Sequence, residues 1–158
     1  MNATPLHNET ANELYAMLTP EVRAALAKHE RFMFVPKGTN LIKHGVQPDE
    51  LVIVNSGKVE ITLTSMQESV SLNCAERGKV FGMCAVVSGE LPDADVTSQE
   101  NCRVTLIPRD AFLTTLREHP QMYFAIAKVL SADLIMAHRF RKIPLHRSLR
   151  GKSMSHSC

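Results

Sequence analysis

The sequence predicts an α+β, mainly β domain: an antiparallel sandwich, roll or barrel with helices at both ends. Three observations predict this class. Short apolar runs with a two-residue alternation fill the middle of the chain, and turns that contain glycine separate these runs. Apolar residues at helical spacing come before and after this part. With 158 residues, the chain can bury about 70% of its unfolded surface as one domain without a disulfide or a metal.

Composition and charge exclude several classes of protein. Hydrophobic residues make up 44% and charged residues 22%, as in a globular protein and unlike a disordered one. No N-terminal signal pattern occurs, and no apolar run approaches the roughly 20 residues of a membrane helix. We therefore expect a cytoplasmic protein that spans no membrane. Residues 139–158 contain six basic side chains and no acidic one, so the rest of the chain carries a net negative charge.

The spacing of cysteine and histidine does not match a metal site. The four cysteines are too far apart for a zinc or iron–sulfur site built from adjacent ligands. No two of the seven histidines lie at ligand spacing on one strand. The common hydrolase, nucleotide-triphosphate and zinc-protease motifs do not occur either. We expect no metal, no other cofactor and no enzymatic activity, and we keep a cupin-type metalloenzyme as an alternative.

Helical patterns begin the chain. Apolar spacing predicts one helix over 8–18 and a second over 20–28. The second helix starts at Thr19-Pro20-Glu21, where the threonine caps, the proline suits the first helical position and the glutamate complements the helix dipole. With only about two and a half turns, this helix depends on tertiary packing for its stability.

Alternating apolar residues from Arg31 onward predict short strands. The run 52–54 is followed by Asn55-Ser56-Gly57, which suits a tight hairpin turn. The segment 59–63 then alternates apolar with polar residues, as expected for a strand with one buried face. Similar alternation occurs at 70–74 and at 104–107. The predicted β-rich part therefore covers 31–108.

A long helix is predicted after a short one at the C-terminal end. The first helix opens after Pro108, and His119-Pro120 interrupts it. From 120 to 143 two neighbouring apolar seams run along one helix, so both of its sides need a cover. One side packs on the β-rich part, and a twin helix in a parallel coiled coil covers the other; a helix buried wholly in its own domain is the alternative. We assign the dimer helix to Met122, Ala125, Val129, Ala132 and Met136, and a basic, disordered tail to 144–158.

Several motifs of the middle region resemble the cyclic-nucleotide-binding domain of the CRP/FNR (catabolite-activator) superfamily. They are Lys37-Gly38-Thr39, the glycine-bounded segment 45–59, Gly78-Lys79-Val80-Phe81-Gly82, Ser88-Gly89-Glu90 and the segment 102–109. The resemblance covers roughly 15–143, and every glycine except Gly151 falls at a turn of that pattern. It implies a double-stranded β-helix jelly roll, cupin-like in architecture, within one domain at 8–143. N-terminal helices occupy 8–29, the β-roll 31–108 and C-terminal helices 109–143.

The resemblance also implies a ligand-binding cassette. In the family, a Phe-Gly-Glu-Leu-Ala-Leu segment and a Pro-Arg-Ser-Ala-Thr segment hold the cyclic phosphate with backbone amides, a glutamate and an arginine. By the same spacing, Met83 stands here at the glutamate position, Pro92 at the arginine position and Asp95 at the hydroxyl position. If the register slips by one residue, Asp93 takes the arginine position. The cassette positions are Phe81, Gly82, Met83, Cys84, Ala85, Pro92, Asp93, Ala94 and Asp95.

These replacements predict that the phosphate site is degenerate. Losing two charge-assisted hydrogen bonds lowers affinity by roughly two to four powers of ten. The carboxylates at Asp93 and Asp95 repel a phosphate further, so we expect binding of cyclic AMP or cyclic GMP to be weak or absent. Two interpretations of the replaced residues remain open. They are loop residues without a function, or they bind a different ligand, which is uncharged, cationic or a metal. Cys84, at the start of the short helix, is the cysteine best placed for a lowered pKa, but we expect a buried, unreactive thiol there.

The family's usual output is a winged helix-turn-helix that reads DNA. Fourteen residues follow Pro144, too few for that domain, so we expect no sequence-specific DNA binding by this chain alone. The combined prediction is a stand-alone CRP/FNR-like sensor or regulatory module that forms a homodimer and acts through a protein partner. A small-molecule or nucleotide ligand is compatible with this prediction. The alternatives are a ligand-free interaction scaffold or truncated transcription regulator, and the metalloenzyme named above.

Overall fold

The computed structural model describes residues 14–64, 69–74 and 77–141. A short 3-10 helix at Tyr15–Met17 precedes the regular elements. The helices are α1 (Pro20–Ala27), α2 (Met83–Ser88), α3 (Arg109–Glu118) and α4 (Met122–Arg141), and the strands are β1 (Arg31–Val35), β2 (Asn40–Ile42), β3 (Glu50–Ser56), β4 (Val59–Thr64), β5 (Ser69–Cys74), β6 (Val80–Phe81), β7 (Ala94–Ser98) and β8 (Cys102–Pro108).

The eight strands of the described residues form two four-stranded sheets with the orders β1-β8-β3-β6 and β2-β7-β4-β5. All strand pairs are antiparallel. Strands distant in sequence, such as β3 and β8, are neighbours, with Ile53 opposite Thr105. This crossed order is that of a jelly roll with helices at both ends, so the predicted fold class is confirmed.

The domain has two apolar cores that share strand β3. Leu51 and Ile53 point to a core between the sheet and the helices, whereas Val52 and Val54 point to a core between the two sheets. Because successive side chains of a strand point to opposite faces, a strand covered on both sides is apolar without interruption. The run 52–54 is therefore apolar at every position, although an alternating pattern marks β4 and β5.

The N-terminal helix predictions are confirmed in part. Helix α1 begins as expected, with the Thr19 side chain accepting a hydrogen bond from the Val22 amide (3.4 Å) and Pro20 in the first turn. The described part of the predicted helix 8–18 is a single 3-10 turn at Tyr15–Met17, since Leu18 is already extended. Residues 8–13 of that prediction lie outside the described residues, as does the predicted tail 144–158.

Helix α4 corrects the predicted dimer seam. Met122, Ala125 and Val129 are buried in the core between the sheet and the helices of the same chain, so these three residues are core residues of the protomer. Ala132 is exposed and the side chain of Met136 lies outside the described residues. The helix turns its other side outward, with exposed large apolar residues at Tyr123, Phe124, Leu134 and Ile135. No helix in the described part of the chain has the length and apolar character needed to cross a membrane.

Candidate functional site

The candidate site is the connection from β6 through α2 to β7. Gly82 ends β6 and caps α2 with a φ of +87°, a conformation that favours glycine. A Cβ on Gly82 would also lie 3.2 Å from the Cδ1 atom of Ile42. The chain therefore turns directly from Phe81, which is buried between the sheets, into the first turn of α2.

Met83 occupies the position where the resembled family has its glutamate, and its side chain is in the core. Its exposed fraction is 2%, and it packs in the core between the sheet and the helices. Helix α2 contacts α3, α4 and β3, which places its first residue against the helical layer. The thioether at Met83 is therefore withdrawn from solvent.

The neighbouring cysteine is exposed, which corrects one prediction. The expectation that the Cys84 thiol is buried is wrong, because the first turn of α2 directs Met83 inward and leaves Cys84 at the surface. Of the two cysteines whose side chains the structure describes, Cys102 on β8 is the buried one. Burial raises the pKa of the Cys102 thiol, and the charge of Glu100 acts in the same direction.

Asp95 lies at the second half of the cassette and is held by the loop that follows β2. Its Oδ1 atom accepts a hydrogen bond from the backbone amide of His44 at 2.8 Å. This bond lowers the pKa of the Asp95 carboxyl below its usual value, and a hydrogen bond from the Asn40 side chain and the charges of His44 and Lys43 act in the same direction. Partial desolvation opposes them. The carboxylate therefore remains ionised near neutral pH and serves as a local acceptor for the chain.

The same loop also ties together the two halves of the cassette. The amide of Gly45 donates to the carbonyl of Pro92 at 2.9 Å. The side-chain amide of Gln47 donates to the carbonyl of Ala85 in α2 at 3.2 Å. The structure thus brings the segments 81–86 and 91–95 next to one loop, although Gln47 was not predicted as a site residue. Its only signal in the sequence is its place just after the turn at Gly45.

The cassette contains acidic side chains but no basic one. Neither 81–86 nor 91–95 contains a lysine or arginine, and Asp93 is exposed beside the tethered Asp95. Ala94 begins β7, so its backbone belongs to the sheet. Over the described ranges, no group of three or more histidine, cysteine, aspartate and glutamate side chains is placed to hold a metal ion. The arrangement offers a phosphate no cationic side chain from the cassette itself.

The hydrogen bond from the His44 amide to Asp95 predicts how the stability of the domain depends on pH. Its folded-state pKa is lowered, so its contribution to stability is present above the unfolded pKa and is lost as pH falls through the folded value. Asp95→Asn removes this contribution, so we expect urea unfolding of the variant to depend less on pH below about pH 4 than unfolding of the parent. Asp93→Asn, at an exposed neighbour without this hydrogen bond, is the matched control. Equal acid dependence of the parent and Asp95→Asn would contradict the prediction.

Comparison with known proteins identifies the family. The sequence model of the protein family named cyclic nucleotide-binding domain matches residues 32–119, which is more than half of the chain. The matched segment includes nearly all of the β-roll, the cassette and α3. The chain belongs to this family. The resemblance read from the glycine-bounded motifs is thereby confirmed. A search of curated proteins found no match to this sequence.

Solved structures share the fold of this cyclic nucleotide-binding domain at low sequence identity. The catabolite activator protein of Thermus thermophilus matches with a TM-score of 0.68 and 22% identity, over 80% of this chain and 60% of that one. The regulatory subunit of a cAMP-independent protein kinase A from Trypanosoma brucei matches with 0.68 and 17%, over 82% and 46%. DNR from Pseudomonas aeruginosa matches with 0.65 and 17%, over 88% and 63%. The chain thus spans less than two thirds of each of these proteins, and the likeness establishes the fold.

Proposed function

We propose that this chain is a CRP/FNR-like sensor or regulatory module whose phosphate site no longer binds ordinary cyclic nucleotides. It forms a dimer through α4 and acts in the cytoplasm through a protein partner, with no catalytic step of its own. The observation that carries the proposal is the state of the cassette: Met83 is buried in the core, and the Asp95 carboxylate is held by the His44 amide. Membership of a family found in regulators supports the sensor role.

The electrostatics of the cassette support weak phosphate binding. Two unit charges about 4 Å apart interact by about 1 kcal/mol in water and about 4 kcal/mol at an effective dielectric constant of 20. A phosphate placed beside the ionised Asp95 carboxylate meets a repulsion in this range. Pro92 offers no side-chain donor, and its backbone carbonyl accepts a hydrogen bond from Gly45. The backbone amides at the start of α2 therefore receive no help in phosphate binding from a cationic side chain of the cassette.

The exposed stripe on α4 supports the dimer. Tyr123 and Leu134 lie eleven residues apart, which is just over three full turns, so both project from the same side of the helix. Phe124 and Ile135 have the same separation and lie next to that line. All four are more than half exposed, with 70% for Phe124. We infer that this stripe faces the same stripe of a second copy, since the opposite side of α4 packs on its own domain.

Calorimetry with cyclic AMP tests the ligand part of the proposal. We expect no binding at micromolar concentrations by the parent, and micromolar binding would contradict the proposal. In a second protein, Pro92→Arg combined with Asp95→Thr adds the missing cation and removes the repelling carboxylate, so cyclic AMP affinity should rise by at least tenfold, or about 1.4 kcal/mol. The matched control is Pro92→Gln with Asp95→Thr, which lacks the cation. If the arginine variant binds no better than this control, the assignment of Pro92 to the arginine position is wrong.

Light scattering tests the dimer. Leu134→Glu places a charge within the proposed interface, so we expect the variant to have the mass of a monomer under conditions in which the parent has the mass of a dimer. Ala132→Glu is the matched control, because Ala132 is also exposed but lies on the other side of the helix. A monomeric parent, or a dimeric Leu134→Glu variant, would contradict the assignment. If the parent is a dimer and a thermal-shift panel of cyclic nucleotides and metabolites produces no stabilisation, the ligand-free scaffold is the better description.

A further inference from the structure

A cleft lies between helices α1 and α3, away from the cassette. Its volume is about 360 Å³, within the range typical of small-molecule sites. The floor consists of small side chains, Ala25 from α1 and Ala111 and Thr115 from α3. Thr115 is buried, and its hydroxyl already donates to the carbonyl of Ala111 at 2.8 Å. The floor is therefore an apolar surface of methyl groups. Its one polar group, the Thr115 hydroxyl, already has a hydrogen-bond partner within α3.

The rim of this cleft carries opposite charges on its two sides. Lys28 and His29 line the side formed by α1, and Asp110 and Glu118 line the side formed by α3. The α3 residues lie eight positions apart on one side of the helix, which corresponds to about 12 Å. No ion pair within the described part of the chain joins Lys28 or His29 to either of these carboxylates.

Thr114 completes the polar rim between the two carboxylates. It lies one helical turn from Asp110 and one from Glu118, and its side chain is exposed. Asp110 has a neighbouring cation at 3.5 Å, the Nε atom of Arg109, whereas Glu118 has no such partner among the described residues. Lys28 and Glu118 are thus the two rim charges that a ligand can pair with at no cost to an existing ion pair.

We propose that this cleft binds a small zwitterion of the free α-amino acid class. The carboxylate of the ligand pairs with Lys28, its ammonium group pairs with Glu118, and its aliphatic part rests on the floor of Ala25, Ala111 and Thr115. Opposite charges across a small apolar floor match this class better than a simple anion or a simple cation, each of which meets repulsion from one side. The site does not depend on the proposed function of the cassette, because it shares no residue with it.

NMR titration of the full chain with L-glutamine tests the site. We expect the amide signals of Lys28, His29, Thr114 and Glu118 to shift together and to saturate with a dissociation constant on the order of 1 mM, since ion pairs with exposed side chains contribute little free energy each. N-acetyl-glutamine lacks the ammonium group and glutaminamide lacks the carboxylate, so each should bind about fivefold more weakly. Binding should also weaken at high salt.

Variants assign each charge of the ligand to its partner. Lys28→Gln should weaken L-glutamine about fivefold and leave the affinity for glutaminamide unchanged, whereas Glu118→Gln should weaken L-glutamine and leave N-acetyl-glutamine unchanged. Lys58→Gln and Glu100→Gln, at exposed positions away from the cleft, are the controls and should leave all affinities unchanged. Equal binding of the three compounds, an equal effect of each variant on all of them, or no shift of the cleft amides by any standard L-amino acid would overturn the proposal.

Discussion

Met83→Glu should destabilise the domain by about 4–6 kcal/mol at pH 7, although the resemblance to the family cassette suggests that glutamate belongs at this position. The reason is the 2% exposure of Met83 and its place in the core between the sheet and the helices. The new carboxyl has no partner there, so it folds in its neutral form. Chemical denaturation of parent and variant measures the loss, which is a large part of the stability of an ordinary domain.

The pH dependence of this variant gives a sharper test than the loss itself. Burial raises the pKa of the introduced glutamate in the folded state above its unfolded value of about 4.3. As pH rises above that value, the unfolded state releases its proton first, so the free energy of unfolding falls by about 1.4 kcal/mol per pH unit until the folded-state pKa is reached. The difference between parent and variant should therefore shrink markedly at about pH 4.

Three control variants isolate the cause. Cys84→Glu adds the same carboxyl at the exposed neighbour and should change stability by less than about 0.5 kcal/mol. Met83→Leu conserves volume and should cost less than about 1.5 kcal/mol. Met83→Gln buries a polar group without a titrating proton, so its cost should not vary with pH. A Met83→Glu variant as stable as Cys84→Glu, and able to bind cyclic AMP, would mean that position 83 faces the ligand cavity.

Gly57→Ala should destabilise the domain by about 2–5 kcal/mol. Gly57 joins β3 to β4 with a φ of +100°, where an alanine costs about 1–2 kcal/mol. Its Cβ would also stand 2.5 Å from the Sγ atom of Cys102 and 3.0 Å from the carbonyl oxygen of Asn101. Because Cys102 is buried on β8, the strand has to shift to relieve the contact, and such overpacking costs about 1–3 kcal/mol more. Urea unfolding of the variant measures the sum.

Two further proteins separate the two contributions. Gly38→Ala has a similar φ of +86° but open space around the new Cβ, so it should show the backbone cost alone. In the double variant Gly57→Ala with Cys102→Ala, the sulfur is absent, so the combined loss should be smaller than the sum of the single losses. Additive losses, or equal losses for Gly57→Ala and Gly38→Ala, would show that the close approach of β8 has no energetic consequence.

Local chemistry was sufficient to predict much of the fold. Thr19 and Pro20 marked the start of α1 correctly because capping and proline geometry act within one turn of a helix. The turn at Gly57 was predicted between two strands for the same local reason. The cassette at 81–86 and 91–95 is a prediction from the family resemblance. That resemblance did not reveal that the loop carrying His44 and Gln47 binds both segments, because those hydrogen bonds join residues far apart in the chain.

The sequence alone determined the mainly β class, the placement of helices before and after the strands, and an apolar long helix with two seams. The tertiary structure decided which side each seam faces: Met122 and Val129 enter the protomer core, while Leu134 is left exposed. It also decided that Met83 points into the core and Cys84 to the surface. The physical reason is the same in both cases. The rotation of a helix about its own axis is set by the partners it packs against, which are β3 and α3 for α2 and include α2 for α4. These partners are distant in sequence, so periodicity within the helix carries no information about them.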